Sequence, residues 1–153
     1  MDVHPQVQEE IISSRYSHLC VIRAGDLTDT VDAEAQTLTL FSLPTGAQVR
    51  HVQVQLPTAF QNTGEAGNDT TTVQIGTDDD DDNFITATQI NANSGSPAIF
   101  PIYDTGDALP TKIAAAHPNV VATFTPKSAT KLSELNEGVL FIFFDIFVPS
   151  TGI

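Results

Sequence analysis

The sequence predicts an all-β fold, either a sandwich or a barrel. From Leu19 onward, apolar and polar residues alternate with a period of two, which is typical of strands that bury one face. The apolar runs are short and regularly spaced, stretches rich in Gly, Pro, Asn and Asp separate them, and no long helical pattern interrupts them. We therefore expect a single domain of antiparallel strands, without internal repeats and without an interdomain linker.

The composition limits the partners that such a domain can take. The chain has 153 residues, is 41% hydrophobic and carries a net charge of −13, and no Lys or Arg lies between Arg50 and Lys112. Because a surface of one sign cannot release counterions from phosphates, we expect no binding to nucleic acid or to anionic membranes. A basic protein or a divalent cation is the electrostatically favoured partner. No apolar stretch approaches the ~20 residues of a spanning helix. The N-terminus has no signal-peptide pattern, so we expect synthesis in the cytoplasm.

The first segment of the chain lacks the strand pattern. Residues 2–17 are polar, and they predict either an arm or a short helix over residues 6–12. We therefore divide the chain into an N-terminal arm of residues 1–17 and a β domain of residues 18–153.

Turn residues separate the predicted strands. The turn Leu43–Gly46, in which Pro presets φ and Gly permits positive φ, leads into a strand over Gln48–Leu56. In that strand Val52, Val54 and Leu56 alternate with polar residues, as expected of an antiparallel strand with one buried face. Further strands are predicted at 73–77, 83–88, 98–103, 118–125 and 138–148, and the alanine run of 111–117 predicts one or two helical turns.

The last predicted strand is the most apolar segment of the chain. One of its faces is wholly apolar and extends to Val148, and the other is interrupted only by Asp145. Such a strand is either a central strand covered on both sides within one subunit, or a strand whose second face packs against another subunit. We favour an oligomer. The predicted interface residues, from this strand and from the arm, are Phe141, Phe143, Asp145, Phe147, Val7, Ile11 and Ile12.

Five consecutive aspartates, Asp78–Asp82, lie between two predicted strands. An EF-hand loop that starts at the first of them needs Gly at its sixth position and an acid at its twelfth, where this chain has Asn83 and Gln89. A looser calcium or magnesium site stays open, because alternate side chains of an extended segment share a face. The interpretation that we favour is a solvated acidic turn without a cation. The candidate metal ligands are Asp78, Asp80 and Asp82.

No pattern in the sequence indicates catalysis. Cys20 is the only cysteine, and its apolar neighbours predict a buried, unreactive thiol. The four histidines are scattered, and neither a Gly-x-Ser-x-Gly elbow nor a phosphate-binding glycine loop is present. Asp104, Asp107 and Asp145 stand apart from the aspartate run, but each is interpreted first as a turn or interface residue. We expect a non-enzymatic protein without a cofactor.

Several segments resemble small virion proteins of tailed bacteriophages. The segment Ser42–Val49 leads through a strand to Pro57–Phe60, and Thr72–Thr77 then precedes an acidic loop and Asn83–Ile85. In that family a Leu-Pro-x-Gly-Ala turn, a Thr-Ala-Phe segment and a hairpin with an acidic loop recur in this order. The resemblance covers residues 37–148. This chain departs from the pattern at Asn83, where Gly is common, and in the length of its aspartate run.

The resemblance implies an antiparallel, jelly-roll-like β-sandwich that acts as a capsid decoration (cement) protein. It implies a place on the capsid surface of the virion, the major capsid protein as partner, and a homo-oligomer, which we expect to be a trimer. It transfers no catalytic residue. The alternative is a tail or neck component, or an adhesive β-module, that binds a host receptor or glycan through a calcium-stabilised acidic loop.

Overall fold

In the computed structural model, two antiparallel sheets pack face to face, which confirms the β-sandwich and decides against the barrel. The structure describes residues 16–64, 71–90, 101–103, 111–113, 115–126 and 130–149. Jelly-roll connectivity stays a prediction. In this part of the chain, the only helical segments are two 3₁₀ turns, and no helix is long and apolar enough to cross a membrane.

The described strands divide between two sheets. Sheet A has the order β1-β9-β3-β6, with the short β7 also paired to β3, and sheet B has the order β2-β8-β4-β5. The strands are β1 (His18–Arg23), β2 (Gln36–Ser42), β3 (Gln48–Gln61), β4 (Thr72–Thr77), β5 (Ile85–Gln89), β6 (Pro101–Tyr103), β7 (Thr111–Lys112), β8 (Asn119–Thr125) and β9 (Glu137–Phe147).

The two sheets enclose one apolar core. Alternate residues of each strand face inward, so β3 contributes Val52, Val54 and Leu56, as the sequence predicts. Aromatic rings join the two layers, and the ring of Phe60 on β3 lies 6.0 Å from that of Phe124 on β8. The largest fully buried side chains are Phe60, Phe84, Phe124, Phe144, Leu56, Ile75, Ile90, Ile113, Leu132, Leu140, Ile142 and Val49.

The most apolar strand, β9, occupies the interior of sheet A. It pairs with β1 on one side and with β3 on the other, and its residues Leu140, Ile142 and Phe144 are fully buried. An apolar strand with two hydrogen-bonded neighbours has no exposed backbone edge, so the apolar segment from Val139 to Phe144 needs no charged residue to prevent pairing with another chain. The prediction that its inner face extends to Val148 is wrong: the strand ends at Phe147, and Val148 is exposed.

The structure also differs from the sequence expectation in the segments between β6 and β9. The predicted helical turns of residues 111–117 are not formed in the part that the structure describes, because Thr111 and Lys112 pair with β3 and a turn follows. The segment before β9, which is polar in sequence and for which no element was predicted, contains a 3₁₀ turn, Leu132–Glu134, whose Leu132 is fully buried. The predicted strand 98–103 is described only from Pro101 onward.

Candidate interaction surfaces

The aspartate run connects β4 to β5 and folds back over the end of β4. The backbone N–H of Thr77 donates to the carbonyl oxygen of Asp80 over 3.0 Å, and the N–H of Phe84 donates to the carbonyl of Ile75 over 3.0 Å. Gly76 makes this approach possible, because a Cβ at this position would lie 2.2 Å from the Asp80 carbonyl oxygen. The predicted hairpin is therefore confirmed, but its acidic turn lies against the sheet instead of projecting from it.

Asp81 anchors the turn to the outer face of sheet B. Its carboxylate accepts hydrogen bonds from Gln74 Nε2 at 2.8 Å and from Thr123 Oγ1 at 3.0 Å. Thr123 also lies 2.9 Å from Thr37 Oγ1, so β2, β8 and β4 all contribute to this polar network. Because hydrogen bonds to an ionised group are stronger than those between neutral groups, the network stabilises one position of the turn.

The first aspartates of the run also have partners within the chain. Asp78 accepts a hydrogen bond from Asn119 Nδ2 at 3.1 Å and lies 3.6 Å from His117 Nδ1. Asp79 accepts one from Thr77 Oγ1 at 2.6 Å. This hydrogen bond lowers the pKa of Asp79, and the charge of His117 acts in the same direction.

Asp82 differs from its neighbours because like charges surround it. A hydrogen bond with the Asp80 carboxyl raises the pKa of Asp82, and repulsion from the Asp80 and Asp81 charges adds to the effect.

Among the described residues no three His, Cys, Asp or Glu side chains group closely enough to hold a metal ion. Calcium binding through the predicted ligands Asp78, Asp80 and Asp82 stays a prediction. Calorimetric titration tests it, since a saturable heat that Asp82→Asn abolishes would support the site and no heat would count against it.

Two substitutions in the turn should change stability in opposite directions. We expect Asp81→Asn to lower the free energy of unfolding by about 1 kcal/mol, because an amide satisfies the Gln74 and Thr123 donors less well than a carboxylate. Asp82→Asn should raise it at neutral pH by relieving repulsion. Because its pKa is raised in the folded state, Asp82 favours folding at low pH and opposes it as pH rises through that pKa. The gain should therefore disappear in acid and shrink in salt. Urea denaturation at several pH values measures both effects, and equal shifts from both variants would contradict the assignment.

The second surface is the outer face of sheet A, which carries the predicted interface residues of β9. Phe143 and Asp145 are covered within the chain, Phe141 is half-buried, and Phe147 is 45% exposed. Tyr16 covers part of this face: its ring lies 5.4 Å from that of Phe143, and its hydroxyl donates to Gln53 Oε1. The middle of the outer face of β9 is therefore covered within the subunit, as the first interpretation expects, and its C-terminal end is open. Contact of this end with another subunit stays a prediction.

Arg50 connects the covered and open parts of this face. Its Nη2 lies 3.0 Å from Asp145 Oδ1, and its guanidinium carbon lies 5.5 Å from the centre of the Phe147 ring. The ion pair compensates the burial of the Asp145 carboxylate, and the cation–π contact orients the exposed ring. Asp145 is thus a paired structural carboxylate.

The remaining candidates are Cys20 and five predicted residues that lie outside the part of the chain that the structure describes. Cys20 is half-buried and not fully buried as predicted, but burial still raises the pKa of its thiol to about 11, so the thiol is weakly nucleophilic at neutral pH. The contacts of Gly76 and Asp81 were not predicted, because they depend on the turn folding back and leave no local pattern in the sequence. The predicted residues Val7, Ile11, Ile12, Asp104 and Asp107 lie outside the described residues.

Comparison with solved structures gives a likeness of fold. One chain of the structure described as "Cyanophage Pam1 capsid asymmetric unit" aligns with a TM-score of 0.56 and 17% identity, over 88% of this chain and 87% of that chain. A chain of "Acidic stable capsid structure of Helicobacter pylori bacteriophage KHP30" aligns with a TM-score of 0.47 and 20% identity, over 88% and 91% of the two chains. A chain of "Capsid of Ralstonia phage GP4" gives 0.46 and 13%, over 90% and 89%.

No protein-family model matches the sequence, and a search of curated proteins finds no significant match. The TM-scores of the KHP30 and GP4 chains are too low to support a conclusion. At 17% identity, the likeness to the Pam1 chain concerns the fold alone. This chain therefore shares its β-sandwich fold with a chain of the Pam1 capsid structure.

Proposed function

We propose that the protein is a non-enzymatic structural protein of a phage virion that decorates the head and binds the major capsid protein. The observation that carries the proposal is the fold likeness to a chain of the Pam1 capsid structure, which extends over 88% of this chain. The sequence resemblance to small virion proteins supports the same role independently. The predicted trimer stays a prediction.

The distribution of polarity over the two outer faces supports this role. The outer face of sheet A carries the exposed Phe147 and the half-buried Phe141, whereas the acidic turn lies on the outer face of sheet B. The two faces point in opposite directions because the sheets pack face to face. The apolar side chains on the outer face of sheet A suit contact with a protein shell, and the acidic face keeps the opposite side hydrated and repels nucleic acid.

The proposed action is mechanical. Each copy buries apolar surface against neighbouring capsid subunits and holds them together against the pressure of packaged DNA. A standard protein interface buries about 1,600 Å², and many such contacts over one shell give high avidity even when each is weak. The tail, neck or adhesive alternative requires calcium at the acidic turn, and no contact among the described residues favours it.

We expect attachment to heads to require the arm and the open end of β9. Heads stripped of the protein are mixed with full-length protein or with a variant that lacks residues 1–15, and the bound fraction is measured after sedimentation. The truncated chain should bind several-fold more weakly while its circular dichroism spectrum stays that of a β protein. Equal attachment of the two chains would contradict the contribution of the arm.

A matched pair of substitutions tests the contribution of β9. Phe147→Ser should weaken attachment, whereas Val31→Ser should not, although Val31 is 52% exposed and Phe147 45%. Both changes remove an exposed apolar side chain, so a general loss of surface hydrophobicity would affect them equally. Undiminished attachment of Phe147→Ser would exclude this end of β9 from the contact.

A further inference from the structure

The strand β1 lies at the edge of sheet A with an apolar outer surface. Among the described residues, β9 is its only strand partner. Leu19 is 47% and Val21 36% exposed, and both point to the outer face of the sheet. The strand has no acidic residue, no proline and no lysine, and its one charged residue that could hinder pairing with another chain, Arg23, lies at its end.

The backbone of β1 has hydrogen-bonding groups directed away from β9. The N–H of Arg23 donates to Asp26 Oδ2 over 2.8 Å, so this group is not used in pairing with β9. In an antiparallel ladder the N–H and C=O groups of alternate residues point to the same side. The N–H and C=O groups of Leu19 and Val21 therefore point to the open edge as well. At Arg23 the N–H is already bonded to Asp26, so the unpaired groups end there.

We propose that β1 pairs antiparallel with β1 of a second copy of this chain, about a two-fold axis at Cys20, so that sheet A continues from one copy into the next. Directly opposed residues of an antiparallel pair share a face, so a register is acceptable only if it keeps inward residues opposite inward ones. A two-fold axis at Cys20 meets this condition. It places Leu19 of each copy opposite Val21 of the partner subunit. A centre at Val21 would instead place Leu19 opposite the partner's Arg23.

The register within each copy extends this apolar contact across the interface. Leu19 lies opposite Phe143, and Val21 lies opposite Phe141. With the axis at Cys20, one row of side chains runs from Phe143 and Leu19 to the partner's Val21 and the partner's Phe141, and the two-fold axis repeats the row. Each row is apolar throughout, and pairing covers the exposed side chains of β1.

Charge complementarity favours the same register. This register places Ser17 opposite the partner's Arg23. Within its own copy, Ser17 also contacts β9, because its Oγ accepts a hydrogen bond from the N–H of Ile146 over 3.0 Å. Asp145 is the neighbour of Ile146 on β9, and two strand spacings bring the partner's Arg23 Cα to about 10 Å from the Asp145 Cα. An arginine side chain spans most of that distance. Asp145, already paired with Arg50, would then accept a second cation across the interface.

The space beside β1 leaves room for the second copy. A groove of about 510 Å³ lies beside β1, and its walls are of mixed polarity, with Leu38 and Leu40 next to Asp26, Thr28 and Thr39. In the proposed pair the half-buried Cys20 of the partner subunit lies beside this groove, whereas Ile22 is already buried in the core of its own copy.

The native cysteine reports on the proposed axis. Directly opposed residues of an antiparallel pair have Cα atoms about 4.5–5.5 Å apart, which is within the range that a disulfide can bridge. Oxidation of the purified wild-type protein with copper phenanthroline should therefore give a covalent dimer, at an alkaline pH that ionises part of the Cys20 thiol. The control is Val21→Cys combined with Cys20→Ser, because Val21 and the partner's Val21 would be about 8 Å apart by the same strand geometry. Efficient cross-linking of the control, or none of the wild type, would overturn the register.

Sedimentation without oxidant tests the association itself. Wild-type protein should sediment as a dimer at micromolar concentration. Leu19→Lys should raise the dissociation constant of the dimer at least tenfold, so that more of the protein sediments as a monomer. Val31→Lys, at an exposed apolar residue outside β1, should remain dimeric. A monomeric or trimeric wild type would overturn the pairing, and the trimer would instead agree with the expectation from the sequence. Head attachment is a separate readout, so a dimer that fails to bind heads would refute only the proposed function.

Discussion

Gly138→Ala should lower the free energy of unfolding by about 3 kcal/mol, through backbone strain and a steric clash together. Gly138 has φ = +151°, a conformation that residues with a side chain rarely adopt. A Cβ at this position would also lie 2.5 Å from the ring of Phe60, which is fully buried between the sheets. Neither the ring nor the start of β9 can move without disturbing the core. Urea denaturation of the purified variant measures the loss as a lower midpoint.

The same substitution in Phe60→Leu protein separates the steric contribution from the backbone contribution. In Phe60→Leu protein the smaller side chain leaves more space, so adding Gly138→Ala should cost less than it does in the wild type, and the remaining cost is the backbone term. Gly25→Ala is the matched control, because a Cβ there meets nothing within 4 Å and the φ of Gly25 is not in the restricted range. Equal stability of Gly138→Ala and Gly25→Ala would show that β9 begins in another conformation.

Gly76→Ala is expected to detach the acidic turn from sheet B and to lower the free energy of unfolding by about 2 kcal/mol. The added Cβ would lie 2.2 Å from the Asp80 carbonyl oxygen and 2.6 Å from the Asp81 carbonyl carbon, and both atoms belong to the backbone. The turn must therefore lift, which breaks the Thr77 N–H to Asp80 bond and moves Asp81 away from its two donors.

Hydrogen exchange locates this effect. The Thr77 amide should exchange much faster in Gly76→Ala, whereas amides of β1 and β9 should change only as far as global stability changes. Gly64→Ala serves as the control, because a Cβ at the exposed Gly64 meets only Asn62 Oδ1, at 3.4 Å. Unchanged protection of Thr77 would mean that the turn does not lie on Gly76 in solution.

Local patterns predicted the strands well, because alternation and turn residues are properties of neighbouring positions. The β4–β5 hairpin, the Leu43–Gly46 turn and the buried face of β3 follow directly from them. Where tertiary contacts decide, the prediction failed. The alanine run after Lys112 has a high helix propensity, but pairing of Thr111 and Lys112 with β3 prevailed over it.

The candidate surfaces were predictable only in part, for the same reason. The alternation that marks β9 as apolar on both faces cannot show that Tyr16 covers Phe143 while Phe147 stays open. The aspartate run was evident, but its attachment to Thr123 links residues 42 positions apart in sequence. The open edge of β1 depends on sheet order, which alternation does not specify.

The position of β9 determines when this molecule can acquire its shape. The strands of sheet B and the strands β1 and β3 all precede residue 126, whereas β9, which joins β1 to β3, spans residues 137–147. During translation β1 and β3 therefore have no common neighbour until the ribosome has released the last of these strands. Pairing across such long separations is slow to nucleate, so the assembly of sheet A waits until β9 has been synthesised. A nascent chain stalled before β9 would consequently remain a substrate for chaperones and proteases, and only completed molecules would present the outer face of sheet A.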